Sequence, residues 1–158
     1  MEAPKKIKPK RLNDYLEVLS KAAFQAGISW RVIEAKWPGF KEAFFDFDPE
    51  RVARLSPTEI DALAADRRIV RNRRKIEATV ANAQTMLDLN AEYGSFRTYL
   101  RSHGGYDAAA ADLKKRFAFM GATGAYYFLY VVGEEVPPHD RVLARSGSAP
   151  PRTRTRPG

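Results

Sequence analysis

Lys114-Lys115-Arg116-Phe117-Ala118-Phe119-Met120-Gly121-Ala122-Thr123-Gly124 carries a basic helix end through a short apolar hairpin into a segment without a single charge. Gly121 suits the closing of such a turn, since a residue lacking Cβ bends where others clash. The pattern predicts a helix on each side, Asp107–Phe117 before the hairpin and Ala122–Val132 after it. Free amides at the start of the second helix point outward and suit a phosphate. An ordinary helix-helix turn is the other reading, with the lysines complementing the dipole of the preceding helix.

Outward from the hairpin the chain stays helical. Ile76, Val80, Ala83 and Leu87 recur at three- and four-residue spacing and predict a long helix over 72–90, with a shorter one over Ser95–Ser102. Ser56-Pro57-Thr58-Glu59 and Asp48-Pro49 are helix starts, each a capping side chain followed by proline. Leu12, Tyr15, Leu16, Leu19, Ala22, Ala23 and Ala26 form one stripe that ends at Gly27. Ser29 then caps a helix over Trp30–Trp37, which Pro38-Gly39 is expected to stop. No stretch alternates with the period of two that marks a strand. The fold class is all-α.

The 158 residues fit one domain able to bury a substantial core. The chain has no cysteine, which excludes disulfides and thiolate-held metals, and no apolar run approaches the ~20 residues that span a bilayer. The net charge of +8 resides in the ends: residues 1–11 hold five cations against Glu2, and residues 144–158 hold four arginines and no acid. Between them, 18 basic and 18 acidic residues cancel. Three segments follow as expectations: a basic disordered tail over 1–11, a helical domain over 12–143, and a second basic disordered tail over 144–158. Such tails hold polyanions loosely or merely keep a protein soluble.

Two further stretches bear on chemistry. Gln25-Ala26-Gly27-Ile28-Ser29-Trp30 places a glycine, an apolar residue and an indole between two helices. Gly27 lets backbone approach a ligand, Ile28 can act as a wedge and Trp30 can stack on a base; alternatively Gly27 is a helix stop and Trp30 is core. Arg67-Arg68-Ile69-Val70-Arg71-Asn72-Arg73-Arg74-Lys75 puts six cations in nine residues at the start of the long helix. Cations are unfavourable there unless an anion sits nearby, which points to a phosphate backbone, a solvated basic turn being the alternative. The two histidines, His103 and His139, are too few for a zinc site of three or four ligands.

Taken in order, residues from about 12 to 143 resemble the 3-methyladenine DNA glycosylase I family, within the helix-hairpin-helix DNA glycosylase superfamily. The segments that carry the resemblance are Gln25 to Trp30, Phe40 to Pro49 with Val52-Ala53, Ile69 to Arg73 with Lys75-Ile76 and Asn82-Ala83, and Phe117 to Thr123. The resemblance implies a helix-hairpin-helix glycosylase-like domain that grips double-stranded DNA and receives a flipped-out alkylated base between helices. Trp30 matches the family's stacking aromatic. Gln25, Ala22 and Tyr15 fall at the base pocket, Gly27 and Ile28 at the gap left in the duplex, and Phe119, Gly121 and Thr123 at the hairpin. From the basic run, Arg71, Arg73, Arg74 and Lys75 are the residues expected to meet the phosphate backbone.

The sequence also departs from the family. The pocket glutamate, eight residues before the tryptophan, falls on Ala22, and Tyr15 is the residue expected to fill the space. The N-terminal segment bearing pocket aromatics and zinc ligands has no counterpart in this sequence, so no metal and no cofactor are expected. Asp140, 19 residues beyond Gly121, is the substitute acid to be weighed as catalytic. The leading expectation is excision of alkylated bases; the alternative is a catalytically inactive DNA or lesion binder. A cytoplasmic monomer without membrane contact completes the expectation.

Overall fold

The structure, a computed structural model, describes residues 4–138. Its regular elements are α1 (Leu12–Gln25), α2 (Trp30–Ala43), α3 (Pro49–Ala53), α4 (Pro57–Ala64), α5 (Arg73–Tyr93), α6 (Phe96–Arg101), α7 (Tyr106–Arg116) and α8 (Ala122–Val131). A 3-10 turn at Phe45–Phe47 separates α2 from α3, and no strand occurs among the described residues. The long α5 is the central post. It packs against α3, α4 and α6 on its flanks and against α1, which in turn packs on α8.

Local chemistry explains most boundaries. Ser56 Oγ accepts from the Glu59 amide at 3.1 Å and a Glu59 carboxylate oxygen accepts from the Ser56 amide at 2.9 Å, the reciprocal cap that starts α4. Asn72 caps α5, its side chain accepting from the Lys75 amide at 3.1 Å. Gly94, at φ +84, ends α5 in the left-handed conformation that glycine takes without steric cost.

Helix α2 does not stop where Pro38-Gly39 led us to expect. It continues to Ala43 because Trp37, Phe40 and Ala43 are all buried, and that burial outweighs the hydrogen bond lost at a proline inside a helix. Gly39 is needed there: a Cβ would collide with the Arg68 carbonyl oxygen and stand 3.0 Å from the Arg68 side chain. Beyond α2, Phe45, Asp46 and Phe47 all adopt positive φ, near +55°. Each costs about 1 kcal/mol or more for a residue with a side chain. The turn is held by its surroundings: Phe47 stacks on Trp37 at 5.3 Å and on Phe44 at 5.4 Å, while Arg11 reaches the Asp46 carboxylate at 3.0 Å.

Residues 4–10 differ from the disordered tail expected over 1–11. The Ile7 amide donates to the Val131 carbonyl at 2.7 Å, Arg97 donates to the Pro9 carbonyl at 3.3 Å, and the Lys6 ammonium lies 4.9 Å from the Tyr130 ring centre. The Val131 carbonyl, at the end of α8 where helical partners run out, gives this segment a partner that composition alone did not reveal. The second basic segment, 144–158, lies outside the described residues.

Candidate functional site

Three segments distant in sequence meet at the start of α5. Lys75, on its first turn, is only 4% exposed. Its ammonium donates to the Phe24 carbonyl at 2.8 Å and to the Ala26 carbonyl, at the C-terminal end of α1. Those terminal carbonyls have no helical partner and carry partial negative charge, so a cation is favoured there. Burial pushes the Lys75 ammonium pKa below lysine's ordinary value. The same nitrogen lies 5.6 Å from the Phe119 ring, and the Arg74 guanidinium lies 5.9 Å from it.

A second tie comes from Asn82. Its side-chain oxygen accepts from the Ala118 amide at 2.9 Å, and its side-chain nitrogen donates to the Ala118 carbonyl at 3.2 Å. Phe117 and Met120 are buried on either side, while Phe119, at φ +57 and 37% exposed, is turned outward. An Asn82→Leu variant is expected to lose about 1–2 kcal/mol of stability in urea denaturation, since two net-favourable hydrogen bonds disappear with the amide.

The surface so formed carries Gly27 (φ +78), the half-buried Ile28, exposed Arg71 and Arg74, and exposed Phe119, Gly121 and Thr123. Gly121, the N-cap of α8, has no side chain to cap the amides there. Two expected phosphate contacts need correction. Lys75 is buried and occupied with carbonyls, so it positions the Gly27 loop and does not reach outward. Arg73 is exposed but paired with Asp61 at 2.5 Å and Glu77 at 3.9 Å, which takes up much of its charge.

Trp30 opens α2 behind Ser29, whose Oγ accepts from the Arg31 amide at 3.1 Å. The indole is half-buried, and one side of it is covered by Tyr127 of α8, with ring centres 4.8 Å apart and planes at 43°. Burial raises the Tyr127 phenol above its ordinary pKa, and the charges of Glu34 and Glu17 raise it further. Glu34 is ion-paired with Lys21, and a Glu17 oxygen accepts from the Trp37 indole nitrogen at 2.9 Å. An aromatic pair of Trp30 and Tyr127 is therefore present between α2 and α8, with the charges of Glu34 and Glu17 acting on its phenol.

The other expected pocket residues lie elsewhere. Ala22 is 1% exposed and faces Gly124, whose absent Cβ would stand 3.7 Å from that of Ala22 and 3.2 Å from the Met120 sulfur. Tyr15 does not fill in for the acid. It belongs to an aromatic cluster with Phe96 at 5.2 Å and Phe128 at 6.3 Å, and its buried hydroxyl has no hydrogen-bond partner among the described residues. Gln25 is the last residue of α1, its carbonyl accepting from the Ile28 amide at 2.8 Å. Two clefts of about 400 and 290 Å³ open elsewhere. The first lies between Arg101, Tyr106 and Glu134, the second beside Lys10, Tyr15 and Arg97, and Trp30 lines neither.

Asp140 and His139 lie outside the described residues. The chain has no cysteine, and among the described residues no group of three or more His, Asp or Glu is placed to hold a metal. No helix among the described residues is long and apolar enough to cross a membrane. Of the residues that sequence reasoning missed, Glu34 had a signal, standing four positions after Trp30 on the same helical face. Tyr127 and Glu17 had none, because their positions arise from helix packing; Asn82 stood in a segment that carries the resemblance, but its tie to the hairpin shows only in the fold.

Comparison with known proteins bears on this arrangement. A family model described as methyladenine glycosylase matches residues 9–109. A DNA-3-methyladenine glycosylase from Haemophilus influenzae is 30% identical over 130 residues, spanning 69% of this chain and 70% of that protein. DNA-3-methyladenine glycosylase 1 of Escherichia coli K12 is 29% identical over the same shares. Among solved structures, 3-methyladenine DNA glycosylase I from Staphylococcus aureus superposes with a TM-score of 0.71 at 31% identity, covering 82% of this chain and 80% of its own. A variant of 3-methyladenine DNA glycosylase I in complex with 3-methyladenine gives a TM-score of 0.71 at 30% identity, covering 82% and 81%.

Proposed function

Because this chain belongs to the methyladenine glycosylase family, we propose that it removes 3-methyladenine-type bases from double-stranded DNA by hydrolysing the bond between base and sugar. The observation that carries this is positional. Trp30 follows directly on the Gly27-Ile28 loop, and Lys75 pins that loop beside the hairpin, so a stacking ring adjoins a surface suited to phosphates.

Each residue then has a task that its chemistry allows. Arg71 and Arg74 meet the backbone as exposed cations, and the uncapped amides after Gly121 meet it as hydrogen-bond donors. Ile28 and Gly27 approach the stack where a base has left, the glycine allowing close contact. Trp30 receives the everted base. An adenine alkylated at N3 is cationic, so its glycosidic bond is already weak and the enzyme needs little acid catalysis. Eversion costs only a few kcal/mol for a damaged base. An indole face contributes roughly 0.5–2 kcal/mol toward holding the cation. Action as a cytoplasmic monomer without metal or cofactor is part of the same proposal.

Incubation with methylated duplex and measurement of released bases tests it. Free 3-methyladenine is expected from the wild-type protein, with Trp30→Ala lower by roughly 2- to 30-fold. Release no greater than that of the Trp30→Ala protein would reject the proposal.

A further inference from the structure

The absence of an acid at Ala22 raises the question of what distinguishes a cationic base here. Close packing has closed that position, because Gly124 brings α8 against α1 at Ala22. One turn further along α8, on the same helical face, stands Tyr127, whose ring covers one side of Trp30 at 4.8 Å. On α2, Glu34 stands one turn beyond Trp30, also on the same face, and is held there by its ion pair with Lys21. Two helices thus deliver a phenol and a carboxylate to the neighbourhood of one indole.

We propose that Tyr127 and Glu34 are the specificity-determining residues of the base site, Tyr127 backing the Trp30 ring and Glu34 supplying the negative charge that favours a cationic purine. The inference rests on the glycosylase function proposed above. Lys21, whose ammonium also lies 5.4 Å from the Trp37 ring centre, offsets part of the Glu34 charge, so the expected contribution of Glu34 is small. The charges of Glu34 and Glu17 both raise the Tyr127 phenol pKa, after the larger effect of burial. The phenol, kept protonated by burial and by those charges, remains a neutral hydrogen-bonding group. The substrate class that fits is an N3- or N7-alkylated purine nucleotide bearing positive charge, in preference to neutral lesions of similar shape. Glu34 is 59% exposed, so its effect is screened and modest, whereas the loss of an aromatic ring is larger.

The test compares the full chain with Glu34→Gln, Tyr127→Phe and Tyr127→Ala on duplexes containing 3-methyladenine or 7-methylguanine, which are cationic as nucleotides, and hypoxanthine, which is neutral. Glu34→Gln is an exposed, near-isosteric change, and Tyr127→Phe keeps the ring, so both should fold. Glu34→Gln is expected to lower kcat/KM on the cationic bases by about 2- to 5-fold and to leave any action on hypoxanthine unchanged. Tyr127→Ala should lower release of the cationic bases by roughly tenfold while Tyr127→Phe retains most of it. An unchanged cationic preference in Glu34→Gln, or faster release by Tyr127→Ala, overturns the proposal; the second outcome would mark the phenol as a plug. A wild-type protein that releases no alkylated base would instead reject the glycosylase function itself, and this inference with it.

Discussion

Lys75→Met is expected to lower folding stability by about 3 kcal/mol and to abolish most base release. Methionine matches the length of the lysine stem, so the change removes the ammonium and little else. Two carbonyls at the end of α1, those of Phe24 and Ala26, then lose a charged donor. Hydrogen bonds to charged groups contribute about 1.5–3 kcal/mol each, and the site is too enclosed for water to substitute fully. The Gly27-Ile28 loop would also lose its tie to α5. A shifted urea midpoint, with the slope unchanged, measures the first effect, and release from methylated duplex measures the second. Arg74→Met is the control: its side chain is exposed, so stability should stay within about 0.5 kcal/mol while binding to duplex weakens in a salt-dependent way. A Lys75→Met protein as stable as Arg74→Met would show that the buried ammonium does not fix the loop.

Restoring an acid at position 22 is expected to harm the protein. From the resemblance alone, Ala22→Glu should raise release of cationic bases. The structure reverses that expectation, because Ala22 is 1% exposed and lies against Gly124 and near Met120. A longer side chain forces α1 and α8 apart, which costs about 1–3 kcal/mol, and a carboxylate there adds the cost of burying a polar group without a designed partner. We expect Ala22→Glu to be destabilised by about 3 kcal/mol or more and to release no additional 3-methyladenine. Thermal unfolding and base-release assays on the same preparation decide it. Enhanced release at unchanged stability would mean that α1 and α8 part readily at this point.

What could be read from the sequence was what local chemistry determines. The stripe from Leu12 to Ala26, the reciprocal cap at Ser56 and Glu59, and the glycine-closed hairpin each signal their structure within a few residues, and each appears in the fold. Where distant contacts prevail, the signal failed. Pro38 reads as a stop, yet the aromatic stack of Trp37, Phe40, Phe44 and Phe47 carries the helix through it. Three successive residues with positive φ at Phe45–Phe47 break no visible rule in the sequence, because none is glycine. The run from Arg67 to Lys75 looks uniformly basic, but Arg68 pairs with Asp66 and Glu42, Arg73 with Asp61, and Lys75 turns inward. Of the four expected to contact phosphate, Arg71 and Arg74 are the two that are exposed with no carboxylate partner among the described residues. At the proposed base site, the indole was legible and its companions were not, since Tyr127 reaches Trp30 through the approach of α8 to α1.

The main-chain link between Ile7 and Val131 bears on how the N-terminal charges can be probed. Truncating the chain ahead of Leu12 would remove several lysines, and it would also uncap the last turn of the helix that bears Tyr127. Any weakening of polyanion affinity in such a truncate would mix lost charge with a loosened helix end. Charge-neutral replacements at Lys5 and Lys8, leaving Lys6 on its tyrosine and the backbone in place, separate the two.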